Sequence, residues 1–241
     1  IYQVQVASRL PLTLSRDLAA VFKTEAPDIV HSHDYKCDLA ILLANSYGAA
    51  KITTVHGWCS RTPIERFYEW LELQCCKRMD AVIVFCEDYK RRVLAGGVSA
   101  DAIHIVPVGV DPNAVPREGS DFRKRWGVSR TAVLIAQIGR VSKEKQPEVF
   151  VEVATELSDQ FPTARFVLVG AGEMLEQLRC QAASTGRGNV LVFAGYVDCV
   201  GDVLDTVDIV VSCSSTEAIP RVLLESGAAG LPVVATTVGG V

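Results

Sequence analysis

Residues Thr131–Gly172 read TAVLIAQIGRVSKEKQPEVFVEVATELSDQFPTARFVLVGAG and contain the repeating unit that predicts the fold. A β-branched run from Thr131 is followed by a polar loop, a segment of helical periodicity from Pro147 and a second apolar run from Ala164. Short apolar strands that alternate with amphipathic helices are typical of parallel sheets with helical crossovers. The stretch therefore predicts an α/β fold.

The same alternation continues on both sides of this unit, in two series. Residues 116–129 are polar, contain Pro and Gly and interrupt the pattern, which indicates a linker. We therefore predict two Rossmann-like, doubly wound α/β domains, residues 1–115 and 130–241, with a ligand cleft between them. Further strands are predicted from Ile1, Asp28, Lys51, Ala81, Ala102, Asn189, Asp208 and Leu231, and further helices from Arg16, Cys37, Glu65, Glu173, Val200 and Pro220.

Composition restricts the classes of protein to which the chain can belong. Its 241 residues are 49% hydrophobic and 22% charged, the balance of a folded chain long enough for two domains. The net charge of −4 gives no electrostatic support for binding nucleic acid. The eight cysteines show neither a disulfide framework nor a metal-ligand spacing, so we expect reduced thiols in a cytoplasmic protein.

The ends of the chain and its apolar runs give two further expectations. The chain starts at Ile1 without an initiator methionine, and we therefore expect a fragment of a longer protein. No apolar run approaches the roughly 20 residues that are needed to cross a bilayer. Oligomeric state is not indicated by any feature of the sequence.

Glycines and cations follow the first predicted strand of the second domain. Gly139 and Arg140 come directly after that strand, and Lys145 lies five residues further along. A guanidinium fork and an ammonium group are suited to a diphosphate. An ordinary solvated loop explains the same residues, and the spacing alone leaves both interpretations open.

A turn of small residues, Gly170 to Gly172, follows the next strand and opens a helix. Free backbone N–H groups and the helix dipole favour an anion at such a place, although a tight turn without a ligand fits equally well. The turn lacks a third glycine, and the strand from Asn189 does not end in an acidic residue. A nicotinamide dinucleotide, and hence a dehydrogenase, is therefore disfavoured.

Two carboxylates flank Pro220 in the stretch EAIPRVLLE, which runs from Glu217 to Glu225. Because proline fits the first turn of a helix, Glu217 is predicted to lie in the preceding loop and Glu225 inside the helix. An acid close to a helix N-terminus also stabilises the helix through its dipole. A functional and a structural role for Glu217 therefore both remain open.

Histidines mark the ends of two predicted strands in the first domain. His31 and His33 end one of them, and His56 ends the next. A hydrogen-bonded structural histidine and a functional one are both consistent with these positions. No additional cluster of Asp, Glu or His accompanies them in the sequence, which argues against a metal site.

Seven segments, taken in order, resemble the retaining GT-B-type glycosyltransferases of family 4. The resemblance is collinear over nearly the whole chain, and its last segment has the family's E-x7-E spacing followed by G-x-P-V-V-A-T. The segments are PDIVHSHD (27–34), TVHG (54–57), IVPVGVD (105–111), IGRVSKEK (138–145), LVGAGE (168–173), VFAGYV (192–197) and EAIPRVLLESGAAGLPVVATTVGG (217–240).

The resemblance implies a role for each matching residue. Arg140 and Lys145 would hold the diphosphate of a nucleotide-sugar donor, and Glu217 would face the donor sugar. His56 would reach the sugar or the phosphate from the other domain, and Glu225 would bind the ribose hydroxyls. The remaining donor-binding residues would be Gly139, Gly170, Gly172, Gly195, Tyr196, Val197, Ile219, Pro220, Arg221 and Val222, with no metal and no cofactor beyond the donor.

The implied reaction transfers a sugar from a nucleoside diphosphate to a carbohydrate or lipid-linked acceptor, with retention of configuration. A nucleotide-sugar 2-epimerase of the same fold and a non-catalytic nucleotide-sugar-binding subunit remain as alternatives. Compared with the family, the first strand with its glycine-rich loop and the last helices are missing, so both domains are expected to be incomplete. The helix from Glu65, with Arg66 and Trp70, fits either peripheral association with the inner membrane face or packing within its domain.

Overall fold

The computed structural model describes residues 11–44, 46–58, 62–111, 113, 115, 117–184 and 190–241. The chain divides into two compact units, of which the first ends at Pro107 and the second begins at Val108. Each unit has a parallel β-sheet with flanking helices, so the predicted α/β class with two Rossmann-like sheets is confirmed. No described helix combines the length and the hydrophobicity that a bilayer crossing requires.

The first unit contains a four-stranded sheet in the order β1-β2-β3-β4, and every pairing in it is parallel. Because consecutive parallel strands need a crossover, a helix follows each of the first three strands. The strands are β1 (Ile29–Ser32), β2 (Ala50–Thr54), β3 (Ala81–Val84) and β4 (Ile103–Ile105), and the helices are α1 (Pro11–Glu25), α2 (Tyr35–Leu43), α3 (Pro63–Cys76) and α4 (Glu87–Ala95).

The sequence predictions miss α4 altogether. Five of its nine residues are charged and only Tyr89 and Val93 are buried, so this short helix has few apolar residues to mark it in the sequence. The other helices and strands predicted within the described residues are present, but some of their ends differ. Helix α1 begins at Pro11 and not at Arg16, and α2 ends at Leu43 and not at Gly48. The strand predicted from Ile1 lies outside the described residues.

Side-chain caps fix where two helices of the first unit begin. The Asp34 carboxylate accepts hydrogen bonds from the backbone N–H groups of Lys36 (2.8 Å) and Cys37 (2.9 Å) at the start of α2. Thr62 and Glu65 form a reciprocal capping box at the start of α3. These caps fix where α2 and α3 begin.

The second unit contains a five-stranded parallel sheet in the order β7-β6-β5-β8-β9. Its strands are β5 (Val133–Ile138), β6 (Ala164–Val169), β7 (Leu191–Gly195), β8 (Ile209–Ser212) and β9 (Val233–Ala235). Its helices are α5 (Phe122–Arg125), α6 (Pro147–Gln160), α7 (Leu175–Ser184), α8 (Val200–Leu204) and α9 (Arg221–Ala228).

Both faces of the central strands of this sheet are buried. In β6, Phe166 and Leu168 pack on the side of α6 and α7, whereas Val167 and Val169 pack on the side of α5 and α8. Each of these side chains is at most 3% exposed, and burying one is worth roughly 1.5–3 kcal/mol. Two-sided burial explains why β6 reads as a continuous apolar run and not as an alternating one.

The segment predicted as a linker is part of the second unit. Backbone N–H groups of Glu118, Gly119 and Ser120 donate to the Asp202 carboxylate over 2.8–3.1 Å, and Phe122 is 3% exposed in the core. Burial by itself raises the pKa of Asp202, but these hydrogen bonds outweigh it and leave the pKa below its usual value. Residues 117–129 are polar because they hydrogen-bond to α8 and not because they connect two domains loosely.

Candidate active site

The direction of chain winding reverses at β5 of the second unit. From β5 the chain builds β6 and β7 on one side and then returns to build β8 and β9 on the other. In open α/β sheets, ligands bind outside the carboxyl ends of the strands at such a reversal. The loops that follow β5, β6 and β8 therefore define the candidate site.

The backbones of the loops after β5 and β6 are in direct contact. Gly139 N–H donates to the Val169 carbonyl (2.9 Å), and Val141 N–H donates to the Ala171 carbonyl (2.9 Å). A Cβ atom on Gly170 would lie 1.8 Å from the Gly139 carbonyl oxygen, and one on Gly172 would lie 2.2 Å from the Val141 carbonyl oxygen. Only glycine fits either position.

A pocket of about 310 Å³ opens where these loops meet. Its walls combine loop backbone, the apolar strand ends and the side chain of Tyr196, which is 73% exposed. Five of the predicted residues are brought together here. The lining residues are Ile138, Gly139, Arg140, Val169, Gly170, Ala171, Tyr196, Val197 and Val200.

Lys145 and Glu217 meet at the reversal point itself. Their side chains form an ion pair between the loop after β5 and the loop after β8, and Glu217 is 10% exposed. Ser214 donates a second hydrogen bond, of 2.6 Å, to the same carboxylate oxygen. Both residues are predicted from the sequence, but their pairing is not, because 72 residues separate them.

Three residues that the sequence interpretation did not single out hold these two loops together. Ser215 N–H donates to the Glu144 carbonyl over 2.8 Å. The buried Gln137 amide of β5 donates to the Lys145 carbonyl over 2.9 Å. A glutamine inside an otherwise apolar strand is the one sequence signal that marks this support.

A fourth support comes from Gly239. A Cβ atom there would lie 1.7 Å from the Glu217 carbonyl oxygen, and its backbone has a φ of +59°. Gly239, which follows β9, therefore packs on the backbone of the Glu217 loop.

The helix α9 begins one residue later than predicted, at Arg221, with Pro220 as its N-cap residue. Glu225 accepts a hydrogen bond from Arg221 at 3.4 Å, and its side chain is 14% exposed. Ile219 and Val222 are half-buried. None of these five residues lines the 310 Å³ pocket, and neither do Gly172 and Gly195.

His56 lies in the first unit, at the start of the loop that follows β2. Its Nε2 atom is 3.0 Å from Nδ1 of His33, and its ring packs edge-on against Phe85. Burial lowers the pKa of His56, and the neighbouring His33 lowers it further. His31 is bonded differently, to the Thr54 hydroxyl at 2.8 Å. A contact between His56 and a donor bound by the second unit stays a prediction.

A second pocket, of about 250 Å³, lies beside His56 within the first unit. Glu72 of α3 lines it, and the Trp58 indole N–H donates to the Glu72 carboxylate. Burial raises the pKa of Glu72 to about 7, although the bond from Trp58 opposes this, and the nearby carboxylates of Asp38, Asp34 and Glu69 raise it further. Glu72 is therefore partly protonated near neutral pH.

Two family descriptions cover nearly the whole chain. The family of Glycosyl transferases group 1 matches residues 120–241, about half of the chain, and that of Glycosyltransferase Family 4 matches residues 4–114. The chain therefore belongs to the glycosyl transferases group 1, as the ordered motifs indicated.

Two curated relatives match over most of this chain. One from Escherichia coli is named UDP-Gal:alpha-D-GlcNAc-diphosphoundecaprenol alpha-1,3-galactosyltransferase. It is 26% identical over 238 residues, covering 92% of this chain and 61% of the relative. The D-inositol 3-phosphate glycosyltransferase of Geodermatophilus obscurus is 29% identical and covers 96% of this chain and 58% of the relative. The chain thus spans about three fifths of the length of these relatives.

The fold is shared with a solved structure. HepE from Anabaena, in complex with UDP and glucose, superposes with a TM-score of 0.80 at 20% identity, over 98% of this chain and 66% of HepE. At this identity the similarity is one of fold, and it confirms the GT-B type predicted from the motifs.

The contact of Gly172 with the β5 loop gives a stability prediction. Gly172→Ala forces a methyl group against the Val141 carbonyl, and we expect a loss of roughly 1–3 kcal/mol or more in the free energy of unfolding. Gly109→Ala is the matched control, because a Cβ atom there meets nothing within 4 Å. Urea denaturation of both variants measures the difference, and equal stability would contradict the close approach.

The pKa of Glu72 gives a pH prediction. Because the folded-state pKa of about 7 exceeds the ordinary 4.5, the folded state binds the proton more tightly. The free energy of unfolding then falls as pH rises from about 4.5 to 7. Glu72→Gln removes this contribution, so we expect its stability relative to wild type to improve by up to roughly 3 kcal/mol between pH 5 and pH 8.

Urea denaturation at a series of pH values measures this difference. Glu87→Gln, which replaces an exposed carboxylate in the same unit, is the control and should show no such trend. A Glu72→Gln variant whose stability relative to wild type is the same at pH 5 and pH 8 would show that Glu72 titrates normally.

Proposed function

We propose that the protein to which this chain belongs is a glycosyltransferase that moves a sugar from a nucleoside diphosphate to a carbohydrate or lipid-linked acceptor, with retention of configuration. The observation that carries the proposal is the pairing of Lys145 with Glu217 at the winding reversal of the second sheet. It places a cation and a carboxylate where this class of sheet binds ligands, beside a pocket lined by Arg140.

The donor would lie across the loops after β5, β6 and β7. Arg140 offers a guanidinium fork to the diphosphate at the pocket wall, and Lys145 adds a point charge on the other side of the same loop. Gly170 and Gly172 pack directly on the backbone of the loop after β5 and so fix the part of that loop from which Arg140 extends. Tyr196 and Val197 would border the base, and Glu225 would bind the ribose.

Catalysis would consist mainly of stabilising the leaving diphosphate. As the bond from the anomeric carbon to the phosphate oxygen breaks, negative charge grows on that oxygen, and Arg140 and Lys145 stabilise it electrostatically without a metal. Glu217 already accepts bonds from Lys145 and Ser214, so it is suited to orienting the cation and the donor sugar. A covalent carboxylate nucleophile of the glycosidase type is not required.

The names of similar proteins suggest which nucleotide to test first. HepE was solved with UDP, and the relative from Escherichia coli is named for UDP-Gal. The acceptors in the relatives' names differ, one being a diphosphoundecaprenol-linked sugar and the other an inositol phosphate. We therefore propose a uridine diphosphate sugar as the donor. The acceptor is inferred from residues of this chain and not from the relatives' names.

The diphosphate assignment is tested by binding of UDP. We expect Arg140→Ala and Lys145→Ala each to weaken UDP binding roughly ten- to hundredfold, because each removes a charged hydrogen bond. Lys143→Ala is the matched control, an exposed lysine in the same loop, and should change the affinity little. Isothermal titration gives the three dissociation constants, and an unchanged constant in both test variants would refute the assignment.

The outer face of α3 supports a proposal of peripheral membrane association. Ile64, Phe67 and Trp70 are each more than 50% exposed there, and the rings of Phe67 and Trp70 stack at 5.8 Å. Arg66, Lys77 and Arg78 on the same segment are exposed as well. Apolar rings flanked by cations are typical of helices that rest on an anionic lipid surface.

Cosedimentation with phosphatidylglycerol vesicles tests this association. A double variant, Phe67→Ser with Trp70→Ser, is expected to lose at least about half of the bound fraction, because the buried apolar area is lost. Tyr47→Ser replaces another half-exposed aromatic residue of the first unit and should retain binding. Failure of the unmodified chain to sediment with the vesicles would end the proposal.

A further inference from the structure

The 250 Å³ pocket of the first unit has the features of a site for one sugar ring. Its volume lies just below the range of about 300–1,000 Å³ that is usual for drug-sized ligands, so it suits a single ring more than a chain. Tyr35 and Tyr68 stack at 4.7 Å and both line it, and Trp58 forms another wall. Aromatic rings of this kind pack on the apolar faces of sugars while their polar atoms donate hydrogen bonds.

The polar part of the lining is strongly acidic. Four carboxylates and two histidines, His33 and His56, line the pocket, and among the described residues no lysine or arginine does. Arg92 pairs with one of the four carboxylates, Glu69, at 3.2 Å. Because Glu72 is partly protonated near neutral pH, the net negative charge of the lining comes mainly from Asp34 and Glu65.

Each of these carboxylates is held in place by the fold. Asp34 caps α2 and Glu65 completes the capping box of α3, so neither can swing away without loss of a helix cap. Trp58 fixes Glu72. A fixed set of acceptors with excess negative charge attracts hydroxyl and ammonium donors, and it repels a phosphate or a carboxylate on the ligand.

We propose that this pocket binds the acceptor as a single sugar or cyclitol ring that carries no negative charge on the ring, and that it prefers a ring with an amino substituent. The assignment of the ligand as the acceptor depends on the proposed glycosyl transfer. The binding preference itself depends only on the first unit. The two can therefore fail separately.

Saturation-transfer NMR titrations of the full chain test the preference with four probes of one ring type: glucosamine, glucose, glucuronate and glucose 6-phosphate. We expect glucosamine to bind at least about five-fold more tightly than glucose, and both to bind more tightly than the two anions. Tyr68→Ala should weaken binding of glucosamine and glucose alike. Tyr47→Ala, which replaces an exposed tyrosine of the same unit outside the pocket lining, should leave it unchanged.

The charge contribution is tested with Glu65→Gln, because glutamine preserves the capping box and removes one negative charge. This variant should lower the ratio of glucosamine to glucose affinity by roughly two- to threefold, and added salt should do the same. Glu87→Gln, an exposed carboxylate outside the pocket, should leave the ratio unchanged.

Three results would overturn the proposal. One is binding of glucuronate or glucose 6-phosphate as tight as that of glucosamine. Another is glucosamine binding that Tyr68→Ala leaves unchanged, or a ratio of glucosamine to glucose affinity that Glu65→Gln leaves unchanged. The last is absence of binding by any of the sugars while UDP still binds, which would leave the donor assignment intact. Loss of UDP binding with the sugar preference retained would instead refute the proposed donor site and support the acidic pocket.

Discussion

The contact between the β5 and β6 loops is the constraint on which the second unit depends. Two backbone segments pack against each other with no room for a single methyl group at Gly170 or Gly172. This fixes where Arg140 leaves the sheet and where the following loop starts toward Lys145. Hydrogen bonds from the N–H groups of Gly139 and Val141 continue the pairing of β5 with β6 into these loops. The loops of the candidate site are therefore anchored directly to the sheet.

Charge balance governs the Lys145–Glu217 pair. A lysine only 27% exposed would be costly without a partner, and Glu217 supplies one before any ligand arrives. The carboxylate is in turn restrained by Ser214. Under the proposed function, a diphosphate that enters this site meets a cation that Glu217 has already oriented.

The sequence predicts the class of fold and the succession of strands along the chain, because these depend on local periodicity and on collinear motifs, and it names five of the residues that line the 310 Å³ pocket. It misses α4, whose buried face is only Tyr89 and Val93. It treats residues 116–129 as a linker, because a bond from a backbone N–H group to Asp202, some 80 residues away, leaves no trace in local composition. For Gly170 and Gly172 the sequence leaves an anion-binding turn and a tight turn without a ligand equally open, and it does not indicate their contact with the neighbouring loop. In each case the deciding interaction joins residues far apart in the chain.

The boundary between Pro107 and Val108 has a consequence for how such a protein can change. The acidic pocket is encoded entirely before it, and the loops that carry Arg140, Lys145 and Glu217 are encoded entirely after it. Under the proposed function, the residues that select the acceptor and those that select the nucleotide therefore lie in two separate segments of the sequence. A crossover between related genes at this one position would combine an old donor preference with a new acceptor without altering a contact inside either sheet.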